Sequence, residues 1–284
     1  MASTAFITGA ASGFGLATAH RLRADGWDVV ATDAFPARFA GEIATPEALV
    51  AALGGGRGFR LDVRDDAAVR ALAAAIGDVD LVVNNAGHAV FATQEEADLE
   101  AIRDLFDVNV LGVARVARAF LPGLRARRGT IVQISSVAGR YVFPESGFYA
   151  ATKHAVEAMS EALALEAGPF GVRVRVIEPG RFATRFGERA SAASAAPPAD
   201  SAYAAARATW GALREAVLEP PQPATLVAEA IVNSLRSPAL LLRVPVGPDA
   251  ERMMHLRDTT RPDAAVAGLA ATLGARPAEP TDLG

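Results

Sequence analysis

The chain has no cysteine in its 284 residues, which excludes disulfides, thiol nucleophiles and thiolate metal sites. Its four histidines, His20, His88, His154 and His255, lack zinc-ligand spacing, so no metal is expected. Lysine is all but absent: 27 of the 28 basic residues are arginine, and the single lysine is Lys153. Tyrosine is nearly as scarce. Of Tyr141, Tyr149 and Tyr203, only Tyr149 has a lysine four residues on, since Glu145 and Arg207 stand there for the other two. No apolar run approaches the ~20 residues that span a bilayer, and no basic stretch precedes a long apolar run near residue 1. The 32 acidic and 28 basic residues are scattered without blocks, so the formal net charge of -4 leaves no footprint for nucleic acid or an anionic membrane. A cytoplasmic protein with neither as partner is expected.

What is present is enough for a full core: 51% of residues are hydrophobic and 21% charged. Short apolar runs at 5–8, 28–33, 58–61, 79–83, 130–135, 173–177 and 240–244 read as strands, with amphipathic segments between most of them. That alternation predicts an α/β fold, a doubly wound parallel sheet of about seven strands with helices on both faces. Thr45-Pro46-Glu47 opens a helix that Gly54-Gly55-Gly56 stops, and Gly168-Pro169 ends the helix carrying Tyr149. Residues 187–202, rich in Ala, Ser and Pro, have the composition of an interdomain linker, but a strand follows with little sign of a second core. The expected organisation is one dehydrogenase-type domain over 1–258, with a mobile lid at about 181–222, and a tail over 259–284.

After the first strand, Thr8-Gly9-Ala10-Ala11-Ser12-Gly13-Phe14-Gly15 opens a helix. A helix amino terminus presents unpaired N–H groups and positive dipole to a pyrophosphate, and glycines let the backbone approach it. Gly9, Ser12, Gly13, Phe14 and Gly15 are the candidate contacts. The spacing differs from the usual G-x-G-x-x-G, so the turn alone is a weak signal for a dinucleotide. Asp33 closes the second strand 18 residues after Gly15, where a carboxylate accepts hydrogen bonds from the adenosine ribose; the plainer reading is a turn residue. A 2'-phosphate about 4 Å from it is opposed by about 1 kcal/mol per charge pair in water, and about 4 kcal/mol at an effective dielectric near 20. NAD is therefore preferred over NADP. Arg38 is the one nearby group able to reverse that choice by reaching a 2'-phosphate; otherwise it is a surface charge. Asp62 and Val63 after strand three, and Asn85, Ala86 and Gly87 after strand four, stand at carboxyl ends, where such sheets bind ligands.

Tyr149 and Lys153, at i and i+4, share a helix face. Bringing a phenol from ~10 to 7 requires about 4 kcal/mol, an amount that one ammonium about 4 Å away supplies at an effective dielectric near 20. Tyr149 is thus expected to serve as general acid/base. Ser136, at the end of strand five, is the candidate for holding a substrate oxygen against the phenol, with Ser135 as competitor. Asn109 interrupts the apolar Val108-Asn109-Val110-Leu111; it is either a buried amide satisfying local backbone or the anchor of a proton relay.

TGAASGFG, LDV, NNAG, Asn109, ISSVAG, YAATK and PGRFAT, in that order over about residues 4–190, closely resemble the short-chain dehydrogenase/reductase family. The resemblance implies that Ser136 binds the substrate oxygen, that Tyr149 is the acid/base, and that Lys153 is its electrostatic partner and also bonds the nicotinamide ribose. It further implies that Asn109 holds a water linking the lysine to solvent, and that Pro179, Gly180 and Thr184 surround the nicotinamide carboxamide. The absence of a basic residue in Ala10-Ala11-Ser12 or at Ala34 is similar to the NAD-preferring members. The run from Ile177 to Thr184 is similar to the hydroxysteroid and retinol dehydrogenase branch.

The substrate pocket is expected between 139–148, 88–91 and 181–222, with His88, Tyr141, Phe143, Phe182 and Phe186 lining it. Those side chains suit a small to medium apolar secondary alcohol or ketone, although lid aromatics also serve packing. Three alternatives stand: an NADP-dependent carbonyl reductase, a non-redox relative such as an epimerase or dehydratase, and a regulatory protein that binds NAD without turnover. The resemblance also implies a homodimer or homotetramer built on the helices at 99–121 and 148–167.

Overall fold

The computed structural model describes residues 2–35, 43–217 and 219–272. Arg38 and residues 273–284 of the tail lie outside them. Seven strands form one parallel sheet: β1 (Thr4–Thr8), β2 (Asp28–Asp33), β3 (Arg57–Arg60), β4 (Leu81–Asn84), β5 (Thr130–Ile134), β6 (Arg173–Pro179) and, after the lid, β9 (Leu241–Val246), in the order β3-β2-β1-β4-β5-β6-β9. Each strand sends alternate side chains to opposite faces, and both faces are covered, so the central strands are largely apolar, with Arg175 and Glu178 of β6 as buried exceptions. In β1, Phe6 joins one core with α3 (Asp66–Ile76), α5 (Val113–Arg127) and α6 (Gly147–Ala167); Ala5 and Ile7 join the other with α1 (Gly13–Ala24), α2 (Pro46–Ala52) and α9 (Thr225–Ser234). Thr45 caps α2, its hydroxyl accepting from the Ala48 N–H at 3.2 Å.

Strand order reverses between β1 and β4, and the crevice above their carboxyl ends is where sheets of this kind bind ligands. The long helix expected to hold Asn109 is not uniform. Between α4 (Leu99–Phe106) and α5 lies a wider π turn, Asp107–Gly112, with Asn109 buried in it, a distortion that recurs at functional positions.

The segment read as a mobile lid is built of two helices, α7 (Phe186–Ala193) and α8 (Ala204–Val217), with the two-residue pair β7 (Phe182–Ala183) and β8 (Gln222–Pro223) at its base. It is tied to the body. The Arg207 guanidinium meets Glu145 at 2.6 Å and also Glu96, Tyr203 donates to Glu95 at 2.8 Å, and the Phe91 N–H donates to Ser194 Oγ at 2.8 Å. At the end of the span expected as the domain, α10 (Pro248–Thr259) packs Met253 and Met254 against Val137, Tyr141 and Phe143, and α11 (Pro262–Thr272) follows within the tail. Among the described residues, no helix is long and apolar enough to cross a membrane.

Candidate active site

The glycine-rich turn rests on close backbone packing. Gly9 has φ +63°, in the left-handed region, and a Cβ there would stand 2.9 Å from Ala86 Cα. A Cβ on Gly15 would stand 2.3 Å from the Gly9 carbonyl oxygen and 2.5 Å from Asn85 Nδ2. Asn85 holds the turn in place: its amide donates to the Thr8 and Gly9 carbonyls, each at 2.9 Å, while the Asn85 and Ala86 N–H groups donate to Thr8 Oγ1. Asn85, expected as a cofactor contact, is thus committed to the turn. Ser12 makes no side-chain capping bond at the start of α1, which leaves the dipole end of the helix facing a cleft of about 930 Å³ lined by Ala11, Ser12, Gly13, Ile43, Thr184 and Arg185, among others. Gly15→Ala is expected to fold less stably by about 1–3 kcal/mol through overpacking and to lose the thermal shift given by NADH. A wild-type melting temperature and shift would show that the turn has room to spare.

Asp33 borders this turn. Its Oδ2 accepts from the Ala11 N–H at 3.2 Å and its Oδ1 from the Phe35 N–H at 3.0 Å. It does the work of a turn residue while keeping carboxylate lone pairs for further donors. Asp62 follows the carboxyl end of β3, where Arg64 clamps its carboxylate at 2.6 Å and holds its pKa below the usual range. Val63 is a core residue, packed where Gly112 leaves room for it. Gly87 lies against the Asn109 amide, and Thr184 lies over Gly13. Pro179 ends β6. The Gly180 N–H donates to the Val246 carbonyl at 3.0 Å, with the buried Asp249 carboxylate so close that a Cβ on Gly180 would stand 2.0 Å from its Oδ1.

At the carboxyl end of β5, Ser136 caps a short 3-10 turn, its Oγ accepting from the Ala138 N–H at 3.1 Å, and is hydrogen-bonded to the Tyr149 phenol. Ser135, the competitor, has its hydroxyl buried against Gly139 and Glu157 instead. Lys153 is buried on the Tyr149 face of α6, donates from Nζ to the Ile134 carbonyl at 2.8 Å, and lies 5.8 Å from the phenol ring centroid. Asn109 accepts from the His88 N–H at 3.0 Å and donates to the His88 carbonyl at 2.9 Å and to Thr152 Oγ1 at 3.1 Å. Thr152 in turn donates to the Tyr149 carbonyl at 2.7 Å. Asn109 therefore fastens the α6 backbone, at the turn holding Tyr149, to the loop after β4. Thr152 gave no signal in the sequence, because a threonine inside a helix is ordinary.

One expectation is reversed. Tyr149 is only 8% exposed, under Phe91 at 6.2 Å and Phe186 at 5.6 Å between ring centroids. Burial pushes its phenol up to about 12, against the opposing hydrogen bond from Ser136. Burial also pushes Lys153 down to about 8, against the opposing charge of Glu157. The lysine spends its ammonium on a carbonyl, and the low-dielectric surroundings favour the neutral form of both groups. Burial therefore works against ionisation of the phenol, opposite to the fall expected from Lys153.

Of the pocket residues, Phe186 packs on Tyr149, and Tyr141 and Phe143 pack under α10. Phe182 does not join them. Its ring lies edge-on to Phe14 at 5.2 Å, beside the glycine-rich turn, because β7 pairs with β8 at the base of the lid. His88 contributes backbone, while its ring turns toward Asp104, 3.6 Å away. Met253 and Met254, at the far end of the sequence, were not foreseen; only tertiary contact brings them over Val137.

A glycine-rich turn at the crossover of the sheet, beside Ser136 and the buried Tyr149 and Lys153, is the arrangement of a Rossmann-type α/β fold. The family model of the short chain dehydrogenases matches residues 3–195, and the chain belongs to that family of nicotinamide-dependent oxidoreductases. It is 38% identical over 185 residues to the 3-ketodihydrosphingosine reductase of Bacteroides thetaiotaomicron, a match covering 63% of this chain and 64% of that protein. It is likewise 38% identical over 192 residues to the serine 3-dehydrogenase of Agrobacterium fabrum, covering 66% and 74%. The chain thus spans just under two thirds of the first relative's length. Among solved structures it resembles a short-chain dehydrogenase from Streptomyces avermitilis, with TM-score 0.78, 34% identity and 95% of each chain covered. Two further neighbours carry cofactors. A short chain dehydrogenase from Mycobacterium paratuberculosis is bound to NAD (TM-score 0.69, 30% identity, 86% and 96% covered), and an alcohol dehydrogenase from Thermococcus sibiricus is complexed with 5-hydroxy-NADP (0.66, 27%, 86% and 94%).

Proposed function

We propose that the protein interconverts an apolar secondary alcohol and its ketone with NAD(H), using Tyr149 as acid/base. The observation that carries this reading is the phenol, hydrogen-bonded to Ser136 and sharing a helix face with the only lysine of the chain. When bound along the glycine-rich turn, Asp33 and the ends of β4 and β6, the nicotinamide supplies or receives the hydride. Ser136 holds the substrate oxygen against the phenol, and Tyr149 gives it a proton in reduction or takes one in oxidation. For oxidation the phenol must come down from about 12, which requires a positive charge nearby and Lys153 turned toward it. Asn109 fixes the α6 turn that aims Tyr149. Phe91, Phe186, Tyr141, Phe143 and Met253 exclude water from the substrate side and favour an apolar ligand. Leu111 and Leu165, large apolar groups left exposed on the π turn and α6, favour pairing of these helices between copies in a homodimer or homotetramer.

The first test is a thermal-shift titration with both nicotinamide pairs, since a ligand stabilises the native state by RT ln(1 + [L]/Kd). A larger shift with NADH than with NADPH is expected, and Asp33→Ala should narrow the gap by about tenfold or more in Kd, the counterpart of removing one partly screened charge repulsion. Preference for NADPH in the wild type would overturn the role given to Asp33. A panel of apolar ketones with NADH then tests turnover, and absence of oxidation of NADH across it would favour a regulatory NAD binder.

A further inference from the structure

Residues 222–249, far along the chain, reach back to the segment that leaves β6. That segment, residues 180–186, borders the site from one end to the other. Thr184 stands over Gly13, where a Cβ would lie 3.6 Å from its side chain, and Phe186 packs on Tyr149 at 5.6 Å between ring centroids. A cofactor with its phosphates on the glycine-rich turn and its reactive ring at the substrate oxygen beside Tyr149 has to lie along this stretch. The point from which the stretch starts therefore sets the room left for the ring.

Three hydrogen bonds hold that start. The Gly180 N–H donates to the Val246 carbonyl of β9 at 3.0 Å, the Gln222 N–H of β8 donates to the Arg181 carbonyl at 3.0 Å, and the Arg181 N–H donates to Asp249 Oδ2 at 2.8 Å. The third differs in kind, because its acceptor is a completely buried carboxylate. Asp249 Oδ1 accepts from the Ala250 N–H at 2.9 Å in the first turn of α10, where the positive end of the helix dipole favours a negative charge. Two glycines give it space: a Cβ on Gly180 would stand 2.0 Å from Oδ1, and one on Gly247 would stand 3.0 Å from it. A hydrogen bond to an ionised acceptor is about twice as strong as one to a neutral group, so the carboxylate pins the Arg181 backbone more firmly than a carbonyl in its place would. We propose that Asp249 is a positioning residue for the nicotinamide end of the cofactor. By holding the Arg181 N–H it fixes the course of residues 180–186 between Gly13 and Tyr149, and it acts only through that backbone, touching neither cofactor nor substrate.

This inference rests on the nicotinamide reading given above, and two ligands separate the two. ADP-ribose carries the adenosine, the phosphates and the second ribose of NADH but lacks the nicotinamide ring. In calorimetric titrations of the full chain, Asp249→Ala should raise the Kd for NADH by about tenfold while that for ADP-ribose stays within about twofold. Asp249→Asn, which keeps an acceptor oxygen for the Arg181 N–H, should recover most of the lost affinity. Gly180→Ala retains the carboxylate but drives a methyl group against it, so it should reproduce the selective loss, and it decides the matter if Asp249→Ala does not fold. Equal losses for the two ligands, or wild-type affinity for NADH in Asp249→Ala, would overturn the positioning role and leave the proposed function standing. A wild type that binds neither ligand would overturn both.

Discussion

Tyr149→Phe is expected to lower kcat by about a thousandfold or more, the ordinary weight of a positioned acid/base, while the Kd for NADH stays within about threefold. The split follows from the geometry. The hydroxyl is the only atom removed, it bonds Ser136 at the carboxyl end of β5, and the ring between Phe91 and Phe186 keeps its packing. Since burial pushes the phenol up to about 12 and Lys153 down to about 8, reduction should tolerate acid better than oxidation does: the donor form persists as pH falls, whereas the base form requires a charged neighbour. Steady-state rates in both directions, with cofactor affinity measured by fluorescence of NADH, check this. Retained activity in the variant on a substrate turned over by the wild type would remove Tyr149 from the chemistry.

Arg175→Met is expected to lower the melting temperature by roughly 10 °C, corresponding to about 3–5 kcal/mol for a chain of this size. Arg175 is completely buried in the middle of β6. Its guanidinium donates to the carbonyls of Ser234 (2.9 Å), Val174 (3.0 Å), Ala239 (2.8 Å) and Ser237 (2.6 Å). The first of these is the carboxyl end of α9, where a cation also meets the negative end of the helix dipole. Methionine keeps the apolar stem but removes the donor from four carbonyls, those of Ser234 and Val174 buried and those of Ser237 and Ala239 half-buried, and leaving buried groups unpaired costs more than the bonds themselves earned. A melting temperature within about 2 °C of wild type, measured by calorimetry, would mean that water replaces the guanidinium at little cost. Because β6 ends at Pro179, with Gly180 next, the variant tests whether the carboxyl end of the strand depends on a latch farther back along it.

Much of this was legible along the chain because it is local. The runs of β1, β2 and β5 are buried on both faces, so their apolar character survives in any window of the sequence. Tyr149 and Lys153 stood out through the scarcity of both residue types, and a four-residue helical spacing needs no tertiary knowledge. The glycines of the turn were visible for the same reason, although their steric purpose was not: Gly15 yields room to the Gly9 carbonyl and to Asn85, and Asn85 comes from the loop after β4, some seventy residues away.

The misplacements share a cause. Phe182 was assigned to the substrate side by its position in the lid, yet pairing of β7 with β8 turns it onto Phe14. His88 was placed by its neighbour Gly87, but one residue of loop geometry sends the ring toward Asp104. Arg175 and Glu178, both fully buried, gave no signal in the sequence, since nothing in their flanking residues reports the helices packed over them.

The sequence by itself determined the order of strands and helices, the glycine-rich turn and the pairing of Tyr149 with Lys153 on one helix face, because periodicity, turn chemistry and residue scarcity are properties of neighbouring residues. Only the tertiary structure decided the protonation tendencies of Tyr149 and Lys153, the company of each pocket side chain and the cover supplied by α7 and α10. Those depend on desolvation and on charges brought together from distant parts of the chain, and both come into being only when the sheet and its helices close on one another.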